Sequence, residues 1–291
     1  EDTLKDQPIF DLITKAENDL NKHLNEITLL IDSPTIYSLD FSIQKIFDKK
    51  IITKTEIDYL INDCENIIKI NNIDKEILHT LKHQIIIDDK ENEYKNDITI
   101  EAHKVTIDLK FILIEKKLCD ILKKLFLKKH ITIKNIFCTS YIKSLEIINK
   151  NEIKGYSSFI DIGLKKSSLS IFKDNKLLYL NNTFVGGDHV TKDISKVLKL
   201  DYRKAESEKF KFSKYNNSEV NLINNTDNEL LRKIIYSRLE EIIELLFLDC
   251  PVKNNFDPLS NLKLYFIGNG SKVLNDNLLS FGKEFNFIKE M

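Results

Sequence analysis

Glycine is scarce in this sequence, and it is concentrated in three short stretches whose backbone has the chemistry to hold a phosphate. Five of the 7 glycines in 291 residues fall in DIGLKK (161–166), FVGGDHV (184–190) and FIGNGSK (266–272). Each stretch follows an apolar segment typical of a strand. Glycine at such a point lets another group approach the backbone closely, and the N–H groups of these turns attract anions, phosphate above all.

A carboxylate stands just before the first of these glycines. Asp161 is able to hold a metal ion, or the water bound to it, beside a phosphate. One glycine turn is weak evidence, because ordinary turns also use glycine. Three turns in one half of a glycine-poor chain predict a nucleotide-binding cleft formed by Gly163, Gly186, Gly187, Gly268 and Gly270.

The composition describes a globular protein without a strong electrostatic preference. Basic and acidic residues number 44 and 45, a formal net charge of -1, and hydrophobic residues make up 42% of the chain. This balance gives no basis for binding nucleic acid. The four cysteines are scattered without a CxxC pair, and no apolar run approaches the roughly 20 residues of a membrane-spanning helix. We therefore expect a cytosolic protein with reduced thiols.

The ends of the sequence are unusual. The chain begins Glu-Asp-Thr without an initiator methionine, and its only methionine is Met291. We expect a trimmed or partial form of a longer chain, with any motif upstream of Glu1 outside this sequence.

Hydrophobic periodicity predicts mixed secondary structure throughout the chain. In 53–69, Thr53 and Glu56 form a capping box before a helix whose predicted buried face is Ile57, Leu60, Ile61, Cys64 and Ile67. Strands are predicted in 76–89 and 97–108, and a long amphipathic helix at 113–129. The first 130 residues are therefore predicted to be α+β. Three strands then follow in quick succession from 156, with a hairpin turn in KDNK.

These segments resemble the actin-like ATPases, and within them the FtsA family of bacterial cell-division proteins. The family motifs Asp-Ile-Gly-Gly-Gly-Thr-Thr and Gly-Gly-Asp-x-Ile-Thr-x-Asp-Ile match DIGLKKS and GGDHVTKDI. Its Ala-Glu-x-x-Lys matches AESEK, its Ile-Ile-x-x-Arg pattern matches IIYSR, and its last glycine turn looks like IGNGSKV. The strand EILHTLKHQIIIDD is similar to one in the small subdomain of that family.

The resemblance implies an α/β, ribonuclease H-like two-lobed fold with an α+β subdomain and a first lobe incomplete at its N-terminus. Its implied subdomains are 1–26, a remnant of the first subdomain; 27–130, the small α+β subdomain; 131–152, the return to the first lobe; 153–200 with 251–291, the second core subdomain; and 201–250, a helical subdomain.

The resemblance also implies ligands and partners. ATP with Mg²⁺ would contact Ser167, Glu206 and Lys209 in addition to the five glycines, and Asp161 would hold Mg²⁺ through water. The implied partners are the tail of the tubulin-like protein FtsZ on 201–250, a second copy in a filament, other division proteins on the small subdomain, and the membrane through a segment that is not in this sequence. Arg238 would serve either the FtsZ tail or the interior of its own lobe. The implied location is the cytoplasmic face of the cell membrane at the division site.

Parts of the family pattern differ here. The first phosphate loop has no counterpart in 1–26, and the stretch 281–291 is too short for the family's membrane helix. Leu164, Lys165 and Lys166 replace two glycines and a threonine in the second loop, and Asn269 replaces a glycine in the last. Because these side chains narrow the space for phosphate, we expect at most a weak ATPase.

Two alternatives belong to the same superfamily. A pilus-assembly adaptor of the PilM type shares the small subdomain, whereas a sugar kinase needs a carboxylate base, for which Asp88 and Asp97 are candidates. The Thr-x-Asp-Ile sequence after the paired glycines favours the division protein. The pair His79 and His83 lies on a predicted strand, which puts the two side chains roughly 13 Å apart, too far to share a metal.

Overall fold

The structure is a computed structural model that describes residues 6–92, 99–214, 225–251 and 263–274. Its contacts divide the chain into two compact units, unit 1 (Glu1–Thr139) and unit 2 (Ser140–Met291), and each is described here by itself. The sequence predicts a loop in the Asn-rich stretch 213–228, and residues 215–224 of it lie outside the described residues. Asp97 and the C-terminal stretch 281–291 also lie outside them.

Unit 1 is an α+β assembly, as predicted. Its elements are α1 (Asp6–Leu20), β1 (Glu26–Ile31), β2 (Tyr37–Thr53), α2 (Lys54–Asn71), β3 (Lys75–Ile87), β4 (Lys90–Asn92), β5 (Thr99–Glu115), α3 (Lys116–Leu127) and β6 (Thr132–Cys138). β1 and β6 form a parallel pair, and the other four strands form an antiparallel sheet in the order β2-β5-β3-β4.

α2 covers one face of the antiparallel sheet. The predicted capping box is confirmed, because the Glu56 carboxylate accepts a hydrogen bond from the Thr53 N–H at 3.0 Å. The prediction that Ile67 is buried is wrong: Ile67 is 37% exposed, whereas Ile68 is 3% exposed. Ile68 follows Cys64 by four residues, so it lies over Cys64 on the face of the helix that meets the sheet.

Unit 2 is an α/β assembly around one mixed sheet. Its elements are α4 (Thr139–Lys150), β7 (Tyr156–Ile162), β8 (Ser167–Lys173), β9 (Lys176–Thr183), α5 (Gly187–Val197), α6 (Tyr202–Lys214), α7 (Asn225–Phe247), β10 (Lys263–Ile267) and a 3-10 helix (Gly270–Leu274). The strand order is β10-β7-β8-β9, with β10 parallel to β7 and the meander β7-β8-β9 antiparallel.

Local sequence explains how this sheet folds. The predicted hairpin between β8 and β9 is confirmed, with positive φ at Asp174 (48°) and Asn175 (67°), as a type I′ turn requires. One face of the sheet packs on α5 and α7 through residues such as Ile160, Ile194 and Leu239. α4 contacts the other face, where the Ser144 hydroxyl lies 2.8 Å from that of Ser170.

Candidate functional site

The three glycine stretches meet in unit 2. The first is a tight turn, 163–166, which is closed by the hydrogen bond from the Gly163 N–H to the Lys166 carbonyl (2.9 Å). The second is the start of α5, and the third is the turn 268–270 after β10. We refer to these three segments together as the glycine junction.

The start of α5 lies directly on the first turn. A Cβ at Gly186 would come within 2.7 Å of the Gly163 carbonyl oxygen and 2.8 Å of both the Leu164 carbonyl oxygen and the Lys166 nitrogen. The N–H groups of Gly187 and Asp188 donate to the carbonyls of Gly163 (2.9 Å) and Leu164 (2.8 Å). Only glycine at 186 leaves room for this approach, because all three neighbouring atoms belong to the backbone.

The first N–H groups of α5 therefore have partners within the protein. The Gly186 N–H donates to His189 Nδ1 (3.2 Å), and the His189 N–H donates to the Gly186 carbonyl (3.0 Å). Contact between Gly186 or Gly187 and a phosphate stays a prediction. The structure shows a direct steric reason for glycine at 186, because the backbone there packs against the first turn.

The third turn closes over the end of β7. Gly268 has a φ of +86°, and a Cβ at this position would fall on Asp161 Oδ1 and lie 2.7 Å from the Ile162 carbonyl oxygen. A Cβ at Gly270 would also lie 2.7 Å from that carbonyl, and one at Gly187 would lie 3.7 Å from the Gly270 Cα. The glycines that the sequence analysis grouped together are thus neighbours in space.

Asp161 lies beside the third turn of the glycine junction. It is 6% exposed, and its Oδ2 forms an ion pair with Lys143 Nζ at 3.1 Å. Lys143 is on α4, and nothing in its local sequence pattern separates it from other helix lysines, so it could not be predicted as a site residue.

The side chains in and just after the first turn, Leu164 to Ser167, lie in different environments. Lys166 is 8% exposed, and its Nζ donates to the Asn182 side-chain oxygen at 3.0 Å. Leu164 and Lys165 are exposed. Ser167 is fully buried, and its hydroxyl donates to the Val185 carbonyl at 2.8 Å, so this hydroxyl faces the protein interior.

Lys209 ties α6 to α5. It is 4% exposed, and its Nζ donates to Glu206 (2.7 Å), to the Thr191 hydroxyl (2.6 Å) and to the Gly187 carbonyl (3.1 Å). Thr191 in turn contacts the Glu206 carboxylate. The two predicted residues Glu206 and Lys209 therefore lie together, and Lys209 lies against the glycine junction, 3.9 Å from the Cβ position of Gly187.

Asp188 makes a second link between α5 and α6. It accepts a hydrogen bond from the Tyr202 hydroxyl (2.6 Å) and pairs with Lys192 (2.6 Å). These contacts, the one to Lys192 first, hold the pKa of Asp188 below its ordinary value. The hydrogen bond from the Tyr202 hydroxyl to Asp188 raises the pKa of Tyr202 to about 12, and burial of Tyr202 adds to the rise.

The lowered pKa of Asp188 predicts a dependence of stability on pH. A carboxyl whose pKa is lower in the folded state contributes stability above its unfolded pKa of about 4, and loses it as the pH falls below that value. We expect Asp188→Asn to make the free energy of unfolding of unit 2 depend less on pH in the acid range. Urea unfolding between about pH 5 and pH 2 measures this. Glu244→Gln, which changes an exposed carboxyl on α7, is the control, and equal slopes for the two variants would contradict the assignment.

Arg238 lies between α5 and α7. Its Nε donates to Asp193 at 2.6 Å and its Nη1 to Glu241, and the Asp193 hydrogen bond raises the pKa of the guanidinium. In this structure the Arg238 guanidinium pairs with two carboxylates of its own unit, and a contact with a partner stays a prediction.

The remaining candidates lie in unit 1. Asp88 has a φ of 48°, and its Oδ1 accepts from the N–H groups of His103 (3.0 Å) and Lys104 (2.8 Å), which makes it a turn residue. His79 Nε2 accepts from the Cys138 N–H at 2.9 Å, and burial lowers the pKa of His79 to about 4. Across the described residues no three His, Cys, Asp or Glu side chains form a group that could hold a metal, and no helix is long and apolar enough to cross a membrane.

The mixed sheet of unit 2 and the glycine turns at its strand ends define an α/β protein. The predicted resemblance to the FtsA family of bacterial cell-division proteins is confirmed. The family model "Cell division protein FtsA" matches residues 158–269, which include the first two glycine stretches and Gly268 of the third.

Curated relatives carry the same description. FtsA of Helicobacter pylori strain J99 is 26% identical over 162 residues, which cover 56% of this chain and 32% of that protein. FtsA of Agrobacterium fabrum strain C58 is 20% identical over 216 residues, which cover 69% of this chain and 48% of that protein. The chain thus spans about a third to a half of the length of these relatives.

Two solved structures illustrate the structural likeness. The PilM-PilN type IV pilus biogenesis complex is 14% identical with a TM-score of 0.49, covering 86% of this chain and 64% of that chain. MreB5 of Spiroplasma citri bound to ADP is 18% identical with a TM-score of 0.47, covering 60% of this chain and 59% of that chain.

Proposed function

We propose that this chain acts in bacterial cell division as an FtsA-type actin-like protein, and that unit 2 binds ATP or ADP at the glycine junction. The observation that carries the proposal is the meeting of three glycine turns with Asp161 and Lys209; of these residues only those after Asn269 lie outside the segment that the FtsA model matches. Because the chain spans only part of its relatives, the activity and partners of the whole protein belong to the proposal.

The nucleotide would be held by groups that the sequence analysis selected. The turns 163–166 and 268–270 offer backbone to the phosphates, and the exposed Lys165 adds positive charge beside the first turn. Glu206 and Lys209 would face the nucleoside end, because they lie on α6 beyond the start of α5. Leu164–Lys166 in place of smaller residues support the expectation of at most a weak ATPase.

The Mg²⁺ that the resemblance implies fits this site less well. Bound Mg²⁺ would neutralise phosphate charge, with Asp161 holding its water ligands. In this chain Oδ2 of Asp161 pairs with Lys143 at 3.1 Å, and the backbone of Gly268 covers Oδ1. A metal-bound water would therefore compete with Lys143 for Oδ2 and with the Gly268 backbone for the space at Oδ1.

The proposed partners follow from the family. The proposal includes four partners: an FtsZ tail on the helices of 201–250, a second copy in a filament, other division proteins on the small subdomain, and the inner face of the membrane through a segment outside this sequence. Exposed apolar side chains on α7 support a docking role for these helices: Leu230 is 40% and Leu245 37% exposed.

Fluorescence anisotropy with a labelled FtsZ C-terminal tail peptide tests the division role. We expect saturable binding to the folded chain and none by a scrambled peptide of equal charge. Absence of binding by folded chain would contradict the proposal. Arg238→Ala separates the two roles of Arg238: weaker peptide binding indicates a partner contact, whereas lower stability with unchanged affinity indicates the Asp193 contact alone.

A further inference from the structure

Both carboxylate oxygens of Asp161 are engaged by the protein, and one of them by a cation. A Cβ at Gly268 would fall on Oδ1, so the backbone of the third turn covers that oxygen. Lys143 Nζ lies 3.1 Å from Oδ2. We infer that the Lys143 ammonium group takes the position of a divalent cation at Asp161, so that unit 2 binds nucleotide polyphosphate without magnesium. This inference rests on the proposed nucleotide site.

Lys143 is placed to face both Asp161 and the solvent side of the site. The Asp161 side chain is 7% exposed, whereas the Lys143 side chain is 46% exposed. The ammonium group therefore reaches the carboxylate from the rim of the site. An ammonium group has three N–H donors, and the bond to Oδ2 uses one of them, which leaves donors for a phosphate oxygen.

The other side chains around Asp161 favour an anion over a metal ion. Ser168 is the direct cross-strand neighbour of Asp161, and Asn182 is that of Ser168, so all three lie on one sheet face. Ser168 is 1% exposed, and its hydroxyl has no hydrogen-bond partner among the described residues. Asn182 accepts from Lys166, a second ammonium group, at 3.0 Å. No second carboxylate belongs to this row.

The charges near the first turn can replace those of a metal. Magnesium binds with nucleotides because two or more phosphate charges need neutralisation, and it keeps its site through carboxylates and waters. Here Lys143 pairs with the Asp161 carboxylate, and Lys165 and Lys166 bring two further ammonium groups to the first turn. Lysine binds phosphate as a compact charge. The balance of charges near the first turn of unit 2 therefore favours direct contact between a lysine ammonium group and a phosphate.

Equilibrium binding of fluorescent ADP and ATP analogues to the whole chain, in excess magnesium and in EDTA, tests the inference. We expect the two dissociation constants of the unaltered chain to agree within about twofold. Lys143→Gln is expected to weaken binding in EDTA by about tenfold, the loss of one partly screened charge contact, and magnesium is expected to restore it. Lys143→Arg should behave as the unaltered chain.

Lys150→Gln is the matched control, since it removes an equal charge from the same helix at an exposed ion pair with Glu146. Circular dichroism on each variant checks that it is folded. Binding by the unaltered chain only in magnesium would overturn the inference and leave the nucleotide site standing. Absence of nucleotide binding in both buffers would overturn the inference and the proposed site together.

Discussion

Alanine at Gly186 is expected to lower the free energy of unfolding of unit 2 by about 2–3 kcal/mol, the cost of forcing a methyl group into a filled space. The Cβ would lie 2.7–2.8 Å from three backbone atoms of the turn 163–166, and none of them belongs to a flexible side chain. The helix start must move, and with it the hydrogen bonds from Gly187 and Asp188 to that turn.

The adjacent glycine provides the control. A Cβ at Gly187 would meet its nearest neighbours at 3.5, 3.7 and 3.9 Å, which are ordinary contact distances. Gly187 is the first residue of α5, so Gly187→Ala is expected to change stability by less than about 0.5 kcal/mol. Chemical unfolding of both variants measures the difference. Equal losses at the two positions would show that close contact with the turn is not the reason for glycine at 186.

Lys209→Met is expected to cost about 3–5 kcal/mol, because it leaves buried polar partners without their cation. The ammonium group, on a side chain that is 5% exposed, donates to Glu206, Thr191 and the Gly187 carbonyl. A methionine fills a similar volume but donates no hydrogen bond, so the Glu206 carboxylate must find water or become protonated.

Lys211→Met is the matched control for Lys209. Lys211 is on the same helix and pairs with Glu208, but its side chain is 54% exposed, and an exposed pair of this kind contributes between zero and about 1 kcal/mol. Urea unfolding compares the two variants. Adding Glu206→Gln to Lys209→Met should recover part of the loss, since it removes the unpaired charge. Similar stabilities for the two single variants would contradict a structural role for Lys209.

The glycine junction was predictable from the sequence because glycine is rare in this chain. The chain has only 7 glycines in 291 residues, so a glycine directly after a strand indicates a close approach to the backbone at that point. Strands that end at the same edge of a sheet bring such glycines together. The cause assigned to Gly186 was less predictable. Sequence indicates that something approaches the backbone at 186, and the structure identifies the turn at Gly163 as that neighbour.

Contacts between residues that are far apart in the sequence could not be predicted from it. Lys143 and Asp161 are 18 residues apart, and Asp188 meets Tyr202 across a helix junction, so no local period links either pair. The helix predicted at 113–129 begins at Lys116, because the apolar run before it belongs to β5. A short apolar run does not distinguish a buried strand from a helix. The second half of β2 has no clear strand pattern in the sequence, because its side chains are mostly exposed and its pairing with β5 makes it a strand.

Amide hydrogen exchange with and without saturating ADP tests the central claim most directly. If the glycine junction is one nucleotide site, the three segments 163–166, 186–191 and 268–271 will gain protection together, since a ligand that binds the folded state stabilises the elements it contacts. Unchanged exchange in all three segments, or protection confined to other parts of the chain, would contradict the account.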